Sequence, residues 1–283
     1  MKKYLFALVI ITFYVINLHG QSKGNLVIVG GVQTHEIVKK FVELAGGCDA
    51  KIMVIPNAGS DPIRWSTEQV NEFKELGANA DYLLFTRETA DDEENLRKMS
   101  ESNSVFFLGG DQSDLTRDML GTKLLDKVFE IYNNGGTVGG SSAGAAVMSE
   151  VMITGNELIR DDSTGAFITI EKGNIETKQG FGFLKTVIID QHFLKRKRHN
   201  RTIAAIIEHP NLVGVAIDES TAIIVYPNDT FEVFGNNQVL VYDPTKGKDI
   251  REDNKGNLGI TDMKLQVLIS GDKFDLKTNE VIK

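Results

Sequence analysis

Short, continuously apolar runs alternate with amphipathic stretches through the first half of the chain. Asn25–Val29, Lys51–Ile55, Asp81–Phe85 and Ser104–Leu108 each fit a strand buried on both faces, because neither side of the pleat is kept polar. Between them, His35–Leu44, Ser66–Leu76 and Asp91–Ser100 carry helical spacing, and Leu115–Tyr132 reads as one longer helix. This alternation predicts an α/β fold, a mostly parallel sheet with helices on both faces. The second half predicts a β-rich C-terminal part. Thr186–Asp190 and Leu212–Ile217 read as further strands, and Thr221–Tyr226, Thr230–Phe234 and Gln238–Tyr242 are spaced like an antiparallel meander. Asp243–Gly259 is polar and turn-rich and reads as a mobile excursion, and Leu265–Ser270 as a closing strand. With no linker or repeat in view, residues 21–283 read as a single domain.

The N-terminus follows a different pattern. Lys2 and Lys3 precede an almost wholly apolar run, Tyr4–Ile16, and Gly20 offers a small residue beyond it. A basic start, an apolar stretch of about 7–15 residues and a small residue at the cut describe a signal peptide, here residues 1–20. The run is shorter than the roughly 20 residues that span a bilayer. The expectation is export, to a periplasm or outside the cell, with no membrane span left after cleavage. Loss of this segment leaves 263 of 283 residues and takes the formal charge from −8 to −10. Such an acidic protein is a poor general ligand for nucleic acid. Cys48 is the single cysteine, so an intramolecular disulfide and a cysteine-type zinc site are both excluded. No metal or other cofactor is expected.

The chemistry concentrates at Gly140-Ser141-Ser142-Ala143-Gly144, between a β-type run and the start of a helix. Strand, glycine-framed serine and helix make a nucleophile elbow, which lifts the serine oxygen above the sheet edge. The Ala143 amide is then placed to bind an oxyanion. Gly109-Gly110-Asp111-Gln112 ends another strand at the same edge, where working groups of such sheets gather. Its Gly110 amide is a candidate second oxyanion donor, and Gln112 a candidate for holding a substrate amide or carboxylate. No G-x-x-x-x-G-K-[ST] follows it, which disfavours a nucleotide site.

A serine needs a base. Of five histidines, His19 leaves with the signal peptide, His35 starts a helix, His209 precedes Pro210, and His199 lies in a basic stretch. His192 directly follows the strand Thr186–Asp190 and is the best candidate. Asp218 and Glu219 end the strand Leu212–Ile217, and either can orient the base. The chain order serine, histidine, acid differs from the serine, acid, histidine order of α/β-hydrolases. Beyond His192 runs Lys195-Arg196-Lys197-Arg198-His199-Asn200-Arg201. Arg198 and Arg201 share one helix face, and arginine forks bind carboxylates in bidentate fashion, which suits a carboxylate-rich substrate.

Together, Gly109–Gln112, Gly140–Ala145, Asp190–Phe193 with Arg196, Arg198 and Arg201, Ile217–Glu219 and Ser270–Leu276 resemble the cyanophycinase family of the S51 serine peptidases. The resemblance runs from about Leu26 to Leu276. It implies a flavodoxin-like fold of the class I glutamine amidotransferase kind, with Ser142 as nucleophile, His192 as base and Glu219, not Asp218, as the orienting acid. It places Gln112, Asp190, Gln191, Arg196, Arg198 and Arg201 at substrate-pocket positions. It implies cyanophycin, a poly-aspartate with arginine on each β-carboxyl, as substrate, β-aspartyl-arginine as product, and a homodimer. The sequence departs from the pattern at Val32-Gln33, where an acidic residue often follows the first Gly-Gly, and at Ser141, where threonine is common. Two other functions stand beside this one. They are a dipeptidase of the same clan, cutting short aspartyl or isoaspartyl peptides, and a non-catalytic exported binding protein.

Overall fold

The computed structural model describes residues 24–160 and 167–283. The signal-peptide reading concerns residues 1–20, which lie outside them. Among the described residues no helix is long and apolar enough to cross a membrane.

The first half runs β1 (Asn25–Val29), α1 (His35–Leu44), β2 (Lys51–Ile55), α2 (Pro62–Glu75), β3 (Asn79–Tyr82), α3 (Glu93–Ser100), β4 (Ser104–Phe107), α4 (Gln112–Met119), α5 (Lys123–Asn133), β5 (Thr137–Ser141) and α6 (Ala143–Ala146). Caps explain the helix starts. The Thr34 side chain accepts from the Ile37 amide, and Asp61 accepts from Arg64 with Pro62 at the first helical position. That start sets α2 four residues earlier than the apolar spacing indicates. The single helix expected over 115–132 is two helices. Gly121 turns the chain at φ +72°, and Thr122 caps α5 by accepting from the Leu125 amide.

The second half runs β6 (Val151–Glu157), β7 (Ile175–Gln179), β8 (Val187–Asp190), α7 (His199–Glu208), β9 (Val213–Ile217), β10 (Thr221–Val225), β11 (Thr230–Gly235), β12 (Val239–Asp243), β13 (Lys248–Glu252), β14 (Leu258–Thr261), β15 (Lys264–Leu268), β16 (Lys273–Asp275) and β17 (Glu280–Ile282). The main sheet has the order β17-β16-β11-β10-β1-β5-β4-β2-β3. Its half from β1 to β3 is parallel and its half from β10 to β17 antiparallel. One face carries Phe41 of α1 and Phe73 of α2 against Phe106 of β4, rings edge-on at 4.9 and 5.6 Å from Phe106. The opposite face carries α5, with Leu124, Leu125 and Val128 in a larger core that also takes in Val138 and Phe107.

A second sheet, β15-β12-β9-β8, stands apart from the first, with β8 and β9 parallel. The meander expected over 221–242 is therefore divided. β10 and β11 extend the main sheet, whereas β12 crosses to pair with β9 and β15. Asp243–Gly259 is no structureless excursion: most of it builds the β13–β14 hairpin, exposed on β13.

Candidate active site

The two sheets meet at the C-terminal end of β1. The Ser142 amide donates to Val29 O at 3.0 Å, the His192 amide to Gly30 O at 2.5 Å, and the Ser220 amide to Val32 O at 2.8 Å. One segment, 29–32, thus collects the exits of β5, β8 and β9. The sequence expectation put all three candidates at the edge of one parallel sheet. Two of them come from the second sheet, and the shared backbone contacts bring them to the serine.

Ser142 sits at φ 56°, ψ −109°, between β5 and α6. A non-glycine residue held there is strained, and the surrounding packing must impose it. Gly140 and Gly144 allow the turn to close. A β-carbon on Gly140 would strike the Gly144 backbone, and one on Gly144 would strike the Phe107 carbonyl. The preceding Ser141 hydroxyl donates to Gly31 O at 2.5 Å, fastening the elbow to β1. Ala143 opens α6, so its amide has no intrahelical acceptor. Gly110 lies in the neighbouring loop at φ +140°, and the Asp111 amide after it donates to Ala58 O at 2.9 Å.

His192 follows β8 at φ 49° and is buried. Its Nε2 lies 2.8 Å from Ser142 Oγ and its Nδ1 2.7 Å from Glu219 Oε1. With the imidazole neutral and the proton on Nδ1, the serine hydroxyl donates to Nε2 and Nδ1–H donates to the carboxylate. Burial lowers the histidine's proton affinity below its ordinary value; the Glu219 hydrogen bond opposes this, and the charges of Arg196 and Arg198 add to the lowering. The neutral, proton-accepting form is therefore the resting one at neutral pH.

The two acidic candidates after β9 face different partners. Glu219 reaches His192, while buried Asp218 accepts from the Lys195 amide at 3.0 Å. Asn237 donates to the Glu219 carbonyl at 2.8 Å and fixes the turn.

The residues around this chain occupy separate environments. Asp190 and Arg201 are 1 % exposed and face one another, with Arg201 Nε 2.9 Å from Asp190 Oδ2. Thr202 Oγ1 donates to the same oxygen at 2.5 Å, and the Phe167 ring centroid lies 4.9 Å from the guanidinium carbon. Burial pushes the Asp190 carboxyl up, but Arg201, with Arg198 and Thr202, outweighs it and holds the group below its ordinary range. Arg198 is buried and its Nη1 donates to both Gln191 O and Gln191 Oε1 at 2.8 Å, while its Nε finds no partner. Burial, then repulsion from Arg201, lowers its proton affinity against the attraction of Asp190. Arg196 is exposed. Gln112 is buried, its amide donating to Ile153 O at 2.8 Å and Thr154 O at 2.5 Å, which ties α4 to β6. Of the pocket set, Arg196 faces solvent, and Asp190 and Arg201 satisfy one another beneath the surface.

The sequence reading held Asp218 only as an alternative orienting acid and gave Gly31 and Ser141 no structural role, and it missed the β6–β7 hairpin that receives Gln112. The Gly-Gly pair at 30–31, straight after a strand, was the available signal for Gly31.

A strained serine between strand and helix, hydrogen-bonded to a histidine that a carboxylate orients, has the arrangement of serine-type hydrolases. Similarity narrows the class. The model of peptidase family S51 matches residues 26–233, so the chain belongs to that family and is a serine-type peptidase. It is 33 % identical over 276 residues to the cyanophycinase of Synechococcus elongatus, covering 93 % of this chain and 82 % of the relative. It is 30 % identical over 271 residues to the cyanophycinase of Geminocystis herdmanii, covering 91 % and 96 %. A crystal structure of a peptidase from an acI-B1 actinobacterium superposes with a TM-score of 0.68 at 22 % identity, over 92 % of this chain and all of that one, a likeness of fold.

Proposed function

We propose that the protein is an exported serine exopeptidase that releases β-aspartyl-arginine dipeptides from cyanophycin. The observation that carries this reading is the continuous hydrogen-bonded chain Ser142–His192–Glu219 in a chain similar to cyanophycinases along nearly its whole length. In the proposed mechanism Ser142 Oγ attacks the backbone carbonyl of an aspartyl residue as His192 Nε2 takes its proton. Glu219 holds the ring in the required tautomer and stabilises the imidazolium. The Gly110 and Ala143 amides receive the oxyanion. His192 then protonates the leaving amine, and water, deprotonated by the same ring, resolves the acyl-enzyme. Arg196, at the surface, is the cation that meets substrate carboxylates, and Arg198, buried with its guanidinium on Gln191, adds positive charge beneath that wall of the pocket. Arg201 contributes through Asp190 and the placement of the loop 191–198.

Export through residues 1–20 and assembly as a homodimer belong to the same reading. The first is supported by the basic and apolar pattern of Lys2–Ile16, and N-terminal sequencing of the protein outside the cytoplasm tests it.

Rates on insoluble cyanophycin and on soluble aspartyl dipeptides separate polymer cleavage from a dipeptidase activity. The expected result is β-aspartyl-arginine from the polymer and slow turnover of the dipeptides. The reverse order assigns a dipeptidase, and turnover of neither, with no labelling of Ser142 by a covalent serine reagent, assigns a binding protein.

A further inference from the structure

His192 heads a turn of helical type. The Arg196 amide donates to His192 O at 2.9 Å, the Lys197 amide to Leu194 O at 3.2 Å and the Arg198 amide to Phe193 O at 3.0 Å. His192 therefore stands where a helix has its N-cap, and the amides of residues 193–195 must look outside the turn for acceptors. An N-cap side chain normally accepts from the second or third of these amides. The His192 ring is not free to do so: Nε2 faces Ser142 Oγ at 2.8 Å and Nδ1 faces Glu219 Oε1 at 2.7 Å. Another residue supplies the cap. Asp218 Oδ1 accepts from the Lys195 amide, the third of the turn, at 3.0 Å.

The end of β9 grips this turn over several residues. Ile217 O takes the Phe193 amide at 3.4 Å. A β-carbon on Gly30 would stand 2.3 Å from Asp218 O and 2.4 Å from Ile217 O, so β9 ends flat against the glycine whose carbonyl accepts from His192. On the apolar side the turn is seated by Phe193, fully buried with Ile206, Ala216, Leu240 and Tyr242. On the polar side it is seated by Asp218, whose side chain is itself buried, a costly place for a carboxylate that does not have a fixed donor. His192 needs this hold, because φ 49° is a conformation that packing must impose on a non-glycine residue. Asp218 thus fastens the backbone of the turn, and Glu219, next in the chain, fastens the ring.

We infer that Asp218 is a positioning residue for His192: it caps, from outside, the turn that His192 begins, and so sets the reach of Nε2 to Ser142 Oγ. The inference rests on Ser142 and His192 acting as nucleophile and base. Two adjacent acids, alike in sequence, then divide the work between backbone and ring.

The test reads nucleophile and base without a peptide substrate. The wild type and its Asp218→Ala, Asp218→Asn and Asp218→Glu variants, matched by circular dichroism, react with an alkyl fluorophosphonate. Ser142 Oγ bonds to phosphorus, fluoride leaves, and His192 takes the hydroxyl proton. Asp218→Ala is expected to slow labelling about a hundredfold, the cost of displacing a reacting group by about 1 Å. Asp218→Asn keeps an oxygen acceptor in the same place and restores most of that rate. Asp218→Glu keeps a carboxylate but moves the acceptor, and labels slowly. An acid that only stabilises the fold lowers the melting temperature and leaves the labelling rate of folded protein unchanged. That result overturns the inference, as does an asparagine variant as slow as alanine. If Asp218→Ala does not fold, the other two decide, and a glutamate variant as fast as asparagine overturns it. A wild type that resists the reagent overturns Ser142 as nucleophile and this inference with it. A labelled wild type with equally labelled variants overturns this inference alone.

Discussion

Gly31 leaves no spare room beside His192: a β-carbon at that glycine would stand 2.5 Å from both Cε1 and Nδ1 of the imidazole and 3.1 Å from Glu219 Cγ. A side chain there pushes the ring away from its two partners. Displacements of about 1 Å in a reacting group cost on the order of a hundredfold in rate. Gly31→Ala is therefore expected to lower kcat by about a hundredfold or more while the protein remains folded. Steady-state kinetics beside a thermal melt check this, and an alanine variant of unchanged kcat would show that the ring has room to move.

The environment of His192 fixes the direction of the pH dependence. The base works when neutral, and its proton affinity is lowered by burial and by Arg196 and Arg198. The acid limb of kcat/KM is expected below the ordinary histidine value of about 6.5. Arg196→Gln removes a cation and should move that limb to higher pH. Glu219→Gln removes the opposing, raising influence, so the limb moves lower, and loss of the orienting carboxylate costs about 10³–10⁴ in rate. A pH–rate series on the three proteins gives the order, and an acid limb that Arg196→Gln leaves in place contradicts it.

The arginines after His192 differ in depth, and so in the cost of removing them. Arg201 neutralises a fully buried carboxylate at Asp190, whereas Arg196 is exposed. Arg201→Ala strands a buried charge and should cost about 3–5 kcal/mol of folding stability. Arg196→Ala should cost within about 0.5 kcal/mol and act on KM instead. Urea unfolding distinguishes them, and equal midpoints would remove the buried pair from the account.

Much of this was legible along the chain. β1, β2 and β4 announce themselves because strands buried on both faces are apolar throughout. The elbow announces itself because only small residues fit where Gly140 and Gly144 touch. The break at Gly121 was hidden by apolar spacing that runs on through α4 and α5, although Thr122 marks it with a cap. The β6–β7 hairpin was missed because its residues are mixed and largely polar, without a clear period of two. The choice between Asp218 and Glu219 could not be read from residue type or position. It depends on a turn, with Ser220 at φ 56°, that sends adjacent side chains to different partners. Nor did periodicity announce that β8 and β9 form a separate sheet, since parallel strands of either sheet look alike in sequence.

The central claim is that Ser142 cuts cyanophycin. Purified wild-type protein and Ser142→Ala, matched for fold by circular dichroism, are incubated with the polymer and the soluble products identified by mass spectrometry. The wild type is expected to release β-aspartyl-arginine dipeptides, and the alanine variant to lose about 10⁴ or more in rate. Dipeptide release undiminished in Ser142→Ala, or no release by the wild type, would contradict it.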